Sequence, residues 1–258
     1  MQVFLHTAAD AVLALLAALA PPLVLVVGVT ACANANRVRL TEAAERLKPL
    51  RVLLWLGVAL HEGGHMLACL VTLTRIRKVQ IRWHSGFVKH DARGILVSAV
   101  IATGPIVSAT LLAAFATRWL FGAGFTAAAA PFRAPLATDL TLWTRSAAFS
   151  LFTEMGHLMV ARWYVHAPLL LLLAGMLSSA APSPPDLRNA TPGLVWGGVV
   201  ILVLECGARI ALDGSLITLA QPALREVTGA LGIALFSCLL GALIIVPLSL
   251  MIGRRRRS

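Results

Sequence analysis

The sequence predicts an all-α protein that crosses a membrane about six times, with a small β-hairpin after the second crossing. Of its 258 residues, 59% are hydrophobic and only 13% are charged, about half the charged share of a typical soluble domain. So few polar residues cannot cover a water-exposed surface, whereas a lipid bilayer solvates an apolar one. The apolar residues also fall into long runs separated by short polar gaps, as in a polytopic membrane protein.

The first half of the chain contains two apolar runs that precede the predicted hairpin. Residues 11–32 form the first run, which Pro21-Pro22 interrupts, and residues 33–50 are polar and mixed in charge. We expect residues 33–50 to form an amphipathic link at the membrane surface. Residues 51–73 form the second run, which spans about 34 Å as a helix and so crosses the hydrocarbon layer.

Residues 75–93 change from helical to strand periodicity. Apolar and basic residues alternate from Arg75 to Trp83, Ser85-Gly86 is typical of a turn, and residues 87–90 return. The alternation predicts a small basic β-hairpin directly after the second membrane span.

The rest of the chain predicts four or five further spans. The stretch 142–181 is too long for one crossing and contains Pro168, so it holds either one span and a buried piece or two short spans. We treat residues 1–258 as one membrane domain, because no internal repeat or low-complexity tract divides them. The later apolar runs are 94–121, 142–181, 193–212 and 228–252, with predicted loops at 122–141 and 181–186.

The charge balance favours contact with lipid headgroups and not with nucleic acid. The net charge is +11, from 22 Lys and Arg against 11 Asp and Glu, and the charges lie mainly in the gaps between apolar runs. Arg254 to Arg257 follow the last apolar run directly. By the positive-inside rule this basic cluster predicts a cytoplasmic C-terminus.

The second apolar run contains the motif His61-Glu62-Gly63-Gly64-His65. Two histidines four residues apart on a helix project from one face, which suits a single zinc ion. Glu62 stands beside the first histidine and is placed to take a proton from a zinc-activated water. Three ionisable side chains at mid-membrane depth are expensive, which favours a functional site. The motif therefore predicts His61 and His65 as zinc ligands and Glu62 as the catalytic base.

These residues resemble the site-2 protease family of intramembrane zinc metalloproteases, especially a compact actinobacterial-type branch. The resemblance rests on the motif in an apolar helix, on the basic hairpin after it and on Gly104-Pro105, and it covers residues 51–117. It implies a bacterial plasma-membrane protease that cuts membrane proteins or peptides within the bilayer. Where that family often carries an asparagine after Gly-Pro, this chain has Ser108, which bears on how an extended substrate is held.

The motif supplies two ligands, whereas catalytic zinc usually has three. The resemblance implies an aspartate in a Leu-Asp-Gly motif, which Leu212-Asp213-Gly214 matches, so we expect Asp213 to be the third ligand. Its position near the end of a span is unlike the central position of His61, and an ion pair with Arg209 is the alternative.

Two other carboxylates compete with Asp213 for this role. Asp186 precedes Thr191, Pro192 and Trp196 in a pattern similar to that of the compact branch. Glu154 and His157 lie three residues apart on one predicted helix face, where either could reach the metal.

Other functions stay open at this stage. A divalent-metal transporter also places His and Glu on membrane helices, and a catalytically inactive membrane partner could retain the site. A membrane di-iron oxygenase would need further histidine boxes, and none is present in the sequence. The hairpin histidines His84 and His90 are expected to be solvated or to touch headgroups. The sequence predicts no oligomeric state.

Overall fold

A computed structural model describes residues 2–121, 171–211 and 214–254, together with residues 153, 164, 165, 168 and 169. Helices dominate this part of the chain, and one two-stranded antiparallel sheet follows the second helix. In chain order the elements are α1 (Gln2–Arg46), α2 (Leu50–Val71), β1 (Ile76–Ile81), β2 (Gly86–His90), α3 (Ile95–Phe121), α4 (Leu171–Ala180), α5 (Pro184–Ala211) and α6 (Leu216–Arg254).

Five helices of the described chain, namely α1, α2, α3, α5 and α6, are long and apolar enough to cross a membrane. The predicted fold class is confirmed to that extent, including the hairpin after the second helix. Helix α4 is shorter. Most of residues 122–170 lie outside the described residues, so a total of six or seven spans stays a prediction.

Residues 33–50, predicted as an amphipathic link, are mostly a continuation of the first helix, and their place at the membrane surface stays a prediction. Residues 33–46 continue α1 as helix, and α2 begins only four residues later, at Leu50. The physical reason is that this stretch buries a helical stripe against neighbouring helices. Within it, Asn36 is buried and donates a hydrogen bond to the carbonyl of Cys238 in α6, at 2.7 Å. The buried positions of the stripe are Ala33, Asn36, Leu40, Ala43 and Ala44.

Arg51 closes the junction between α1 and α2. Its guanidinium donates to the carbonyls of Ala44 at 2.9 Å and Glu45 at 3.1 Å, which lack partners at the end of a helix. The same guanidinium lies over the Trp83 ring, 5.1 Å from its centroid. Arg51 therefore ties the end of α1 to the hairpin.

Helix α2 ends in a Schellman motif that turns the chain into the hairpin. Leu73 adopts a left-handed φ of 53°, and the amides of Leu73 and Thr74 donate to the carbonyls of Leu70 and Cys69 at 3.1 and 2.8 Å. These bonds satisfy the last carbonyls of the helix.

Strands β1 and β2 pair antiparallel, as the alternation predicts, with an irregularity between Ile76 and Lys78. The turn between them is closed by the amide of Arg82, which donates to the carbonyl of Ser85 at 2.8 Å. Gly86 belongs to β2 and not to the turn, so the turn lies slightly earlier than the Ser85-Gly86 of the prediction.

Helix α3 packs against both α2 and α5 through glycines. Gly64 of α2 meets Gly104 of α3 backbone to backbone, because a Cβ added to Gly64 would lie 2.6 Å from the Gly104 carbonyl oxygen. On the other side, a Cβ on Gly193 of α5 would collide with Ala99 of α3. The absence of side chains at these positions lets three helices approach closely.

A second region of close packing surrounds α4. Small and branched apolar side chains from α1, α3, α4 and α6 form one buried cluster there, which gives these helices a common core. Its buried members are Val29, Ala33, Ala113, Leu173, Leu177, Ala181, Ala230, Ala234 and Cys238.

The two neighbouring glycines of the motif differ in packing, which predicts opposite effects of one substitution. Gly64→Ala forces a methyl group onto the backbone of α3, so we expect a destabilisation of about 1–3 kcal/mol, as for other overpacked sites. At that size, thermal unfolding in detergent shifts down by several degrees.

Gly63→Ala is the matched control. Among the described residues, nothing lies within 4 Å of a Cβ at Gly63, so helix propensity should dominate and stabilise the protein by up to about 1 kcal/mol. Equal unfolding temperatures for the two variants would contradict the close contact between α2 and α3.

Candidate metal centre

Three metal-ligating side chains meet where α2 faces the start of α5. The Nε2 atoms of His61 and His65 lie 3.3 Å from Oδ2 and Oδ1 of Asp186, respectively. One ligand atom from each residue can be chosen so that all three lie within 4.8 Å of one another. Both histidines are buried, with 8% and 9% of their surface exposed. Within the described part of the chain, this is the one such group of His, Cys, Asp or Glu side chains.

The other ring nitrogens of the two histidines face backbone carbonyls. Nδ1 of His65 lies 2.8 Å from the Ile101 carbonyl oxygen in α3, and Nδ1 of His61 lies 3.3 Å from the Ala180 carbonyl oxygen at the end of α4. A carbonyl only accepts, so each Nδ1 carries a proton. In the neutral rings each Nε2 then carries a lone pair that faces an oxygen of the Asp186 carboxylate. The lone pair and the negative oxygen repel each other, and a cation bound between the two atoms would remove this repulsion.

The spacing of the donor atoms fits such a cation. Two ligands at the 2.0–2.1 Å bond lengths usual for zinc in a tetrahedral site lie about 3.3–3.4 Å apart. Both histidine–carboxylate distances are 3.3 Å, each to a different oxygen of Asp186, and one ligand atom from each of the three residues brings the set within 4.8 Å. Two imidazoles and one carboxylate are also a ligand set that catalytic zinc uses. The residues therefore fit a divalent metal ion.

Asp186 is held in place by the start of α5. Ser183 is the residue before the helix, and its Oγ and backbone N–H both donate to Asp186 Oδ2, at 2.5 and 2.8 Å. The Asp186 amide in turn lies 3.4 Å from the Ser183 Oγ. This is a capping box, in which the residue before the helix and the third helical residue satisfy each other. Asp186 thus lies in the first turn of α5, and the loop predicted for 181–186 is confined to residues 181–183.

Glu62 lies beside the two histidines in a small polar cavity. It is 4% exposed, and its Oε2 has no hydrogen-bond partner among the described residues. The cavity has a volume of about 120 Å³ and is also lined by Arg37, His61 and Ser179. Gly86 of β2 forms its cover, because a Cβ there would lie 2.7 Å from Glu62 Oε1. An unpaired buried carboxylate oxygen in a polar cavity is suited to bind water.

A second, larger cavity lies on the side of His65 and Asp186. It has a volume of about 500 Å³, and its lining includes His90, Arg188 and Asn189 but not Glu62. The three metal-ligating side chains therefore contribute to the walls of two cavities, one that contains Glu62 and one that contains His90.

The structure brings together His61, Glu62 and His65, as the motif predicts, and adds Asp186, one of the competing third ligands. Asp213, the expected third ligand, lies outside the described residues, as do Glu154 and His157. Arg209, the predicted alternative partner of Asp213, instead donates to Glu205 Oε1 at 2.7 Å.

Glu205 has a structural role at the junction of α5 and α6. Its fully buried carboxylate accepts hydrogen bonds from Arg209, from Ser215 Oγ at 2.6 Å and from the amides of Leu216 and Ile217 at 2.8 and 3.2 Å. These amides are the unpaired donors at the N-terminus of α6. Every acceptor position of Glu205 is thus used, which leaves it no part in a metal site.

Two signals in the sequence were not used by the motif analysis. Ser183-Pro184-Pro185-Asp186 is a capping-box sequence with proline at the first helical position, and it predicts that Asp186 opens a helix. In β2, Gly86, Val88 and His90 share one face by two-residue periodicity, and that face is turned inward. His90, expected to be solvated or to touch headgroups, is partly buried and lines the large cavity with His65.

Comparison with known proteins finds no matching family model, no matching curated protein and no matching solved structure.

The geometry predicts which carboxylate completes the metal centre. Purified wild-type protein should bind about one equivalent of Zn²⁺, and Asp186→Ala should weaken that binding at least about 100-fold, because an anionic ligand is lost. His61→Ala and His65→Ala should have the same effect. Metal content by mass spectrometry and titration against a zinc chelator measure both quantities.

Asp213→Ala is the matched control, and it should bind zinc as the wild type does. Loss of zinc in Asp213→Ala together with full binding in Asp186→Ala would show that the Leu-Asp-Gly aspartate is the third ligand.

Proposed function

We propose that this protein is an intramembrane zinc metalloprotease that hydrolyses peptide bonds of membrane-embedded proteins or peptides. One observation carries the proposal. Two buried histidines and a half-buried aspartate that could hold a metal ion, with an adjacent glutamate that has an unpaired oxygen, lie among helices long enough to cross a membrane. The resemblance of residues 51–117 to site-2 proteases points to the same activity.

His61, His65 and Asp186 would hold the zinc ion. Three protein ligands leave a fourth position open, which is typical of catalytic and not of structural zinc. Bound zinc supplies Lewis-acid chemistry and makes water nucleophilic near neutral pH.

Glu62 is the group that moves the proton. Its free Oε2 accepts a proton from the attacking water and later delivers it to the amine nitrogen of the broken peptide bond. The cavity of about 120 Å³ around Glu62 has room for water beside the carboxylate. Because Glu62 is buried, the proton is retained for the leaving amine.

The substrate is expected to be a locally unwound segment. Helical amides in a bilayer are hydrogen-bonded and shielded by side chains, so an attacked peptide bond must first leave its helix. Sequences with helix-weakening residues are therefore favoured as substrates. We place the protein in a bacterial plasma membrane with the basic cluster Arg254 to Arg257 in the cytoplasm, in accordance with the positive-inside rule.

A divalent-metal transporter is the main competing function. Transport needs several metal-ligating groups along a path, whereas the described residues contain one such group, fixed by capping and backbone hydrogen bonds. This arrangement favours a resident metal over a transported one.

Glu62→Gln tests hydrolysis directly. The amide keeps the size of the side chain but cannot take up a proton, so cleavage should fall at least about 100-fold while zinc binding stays at one equivalent. The measurement is the cleavage of a quenched-fluorescent transmembrane peptide of Leu and Ala with a central Asn-Gly-Pro interruption, in detergent and in liposomes.

Glu205→Gln is a useful comparison, since Glu205 is an equally buried carboxylate outside the site. Glu205→Gln should lower the unfolding temperature, because it weakens the hydrogen bonds at the junction of α5 and α6, without a direct effect on the cleavage step. Unchanged cleavage in Glu62→Gln would rule out hydrolysis by this site, and zinc flux into liposomes in its place would support a transporter.

A further inference from the structure

We infer that His90 is a second catalytic residue, whose Nε2–H hydrogen-bonds the oxyanion that forms when the peptide carbonyl is attacked. The inference rests on the proposed function and deepens it, since it assigns a role to a hairpin residue outside the zinc-hydrolase motif. It is carried by the tautomer of His90 and by its place in the large cavity.

The tautomer follows from a backbone hydrogen bond. The amide of Ala92 donates to Nδ1 of His90 at 3.3 Å. An imidazole nitrogen that accepts a hydrogen bond carries no proton, so the neutral ring has its proton on Nε2. No partner for this Nε2–H is found among the described residues, and the ring is therefore a free donor.

Burial keeps the ring in this neutral form. Desolvation lowers the pKa of His90 below its ordinary value, and the neighbouring Asp91 carboxylate opposes this shift only in part. A neutral imidazole donates a hydrogen bond without giving up its proton, as is required for stabilising an oxyanion.

The position of His90 complements that of Glu62. His90 lines the cavity of about 500 Å³ together with His65 and Asp186, whereas Glu62 lines the smaller cavity with His61. A substrate carbonyl that enters the large cavity beside His65 and Asp186 would therefore approach with His90 on the side of that cavity and Glu62 on the side of the smaller one. Such a pair of groups is what acyl transfer needs.

The step balances as follows. The water oxygen bonds to the carbonyl carbon while Glu62 takes one water proton, and the π electrons of the carbonyl move onto its oxygen. His90 donates a hydrogen bond to this negative oxygen and keeps its proton. The electron pair on this oxygen then re-forms the C=O bond as the C–N bond breaks. The electron pair of the C–N bond stays on nitrogen, to which Glu62 returns the proton. The products are an amine and a carboxylic acid, and the acid ionises by losing the second water proton to solvent.

The substitution His90→Phe removes the donor and keeps a planar ring. We expect kcat for the quenched-fluorescent Leu/Ala peptide to fall about 10²–10³-fold, the usual effect of losing one oxyanion donor, with little change in KM. His90→Gln keeps an N–H donor and should recover part of the loss. Zinc content should stay at one equivalent in both variants, because His90 is not a ligand.

His84→Phe is the matched control, since His84 lies in the same hairpin but is exposed and outside both cavities. It should cleave as the wild type does. A wild-type kcat in His90→Phe, or an equal loss in His84→Phe, overturns the assignment even where Glu62→Gln is inactive.

A binding measurement tests the same contact without turnover. A phosphinic Leu-Leu dipeptide carries tetrahedral oxygens like those of the reaction intermediate, whereas leucinethiol has none. His90→Phe should weaken the phosphinic dipeptide about 100-fold and leave leucinethiol unchanged, as measured by calorimetry in detergent. Equal effects on both probes would overturn the role of His90. Failure of the proposed function has a different signature, namely no cleavage and no binding of either probe by the wild type, and the inference fails with it.

Discussion

The contact between Gly64 and Gly104 is the constraint on which the site depends. Because neither residue has a side chain, α3 lies close enough to α2 for the Ile101 carbonyl to reach His65 Nδ1. The same approach lets Ser108 Oγ donate to the Leu60 carbonyl at 3.1 Å. Helix α3 also receives Gly193 of α5 on another face, which places the helix that bears Asp186. A larger side chain at Gly64 or Gly193 would push these helices apart and so increase the distance between the histidines and Asp186.

The hairpin is part of the site and not an appendage. Its second strand places Gly86 against Glu62 and His90 in the large cavity. Two arginines from different helices hold its turn. Arg37 donates to the His84 carbonyl at 3.2 Å, and Arg51 stacks on Trp83. Gly86 and His90 are the first and last residues of the same paired strand, so the strand geometry sets their separation along the two cavities.

Local patterns in the sequence predicted the features that depend on residues close together in the chain. Hydropathy predicted the long helices, alternation predicted the hairpin, and the spacing of His61 and His65 predicted their shared face. Local patterns did not show which carboxylate completes the group with the two histidines, because the contact between α2 and α5 joins residues more than 120 positions apart. For a similar reason, the continuation of α1 through the polar stretch after residue 32 was not predicted. Its partners, such as Cys238 for Asn36, lie on a distant helix that a local pattern does not reveal.

Asp186 belongs both to the N-terminal cap of α5 and to the group of side chains that could hold a metal ion. Functional groups often cost a protein some stability, so that replacing them can stabilise the fold. In this protein the carboxylate that faces the histidines is also the reciprocal partner of Ser183 in the cap, and loss of a cap typically costs about 1 kcal/mol. Replacement of Asp186 would therefore weaken the start of α5 whether or not the side chain binds a metal ion. A related protein without the metal site would still have a structural reason to keep the aspartate.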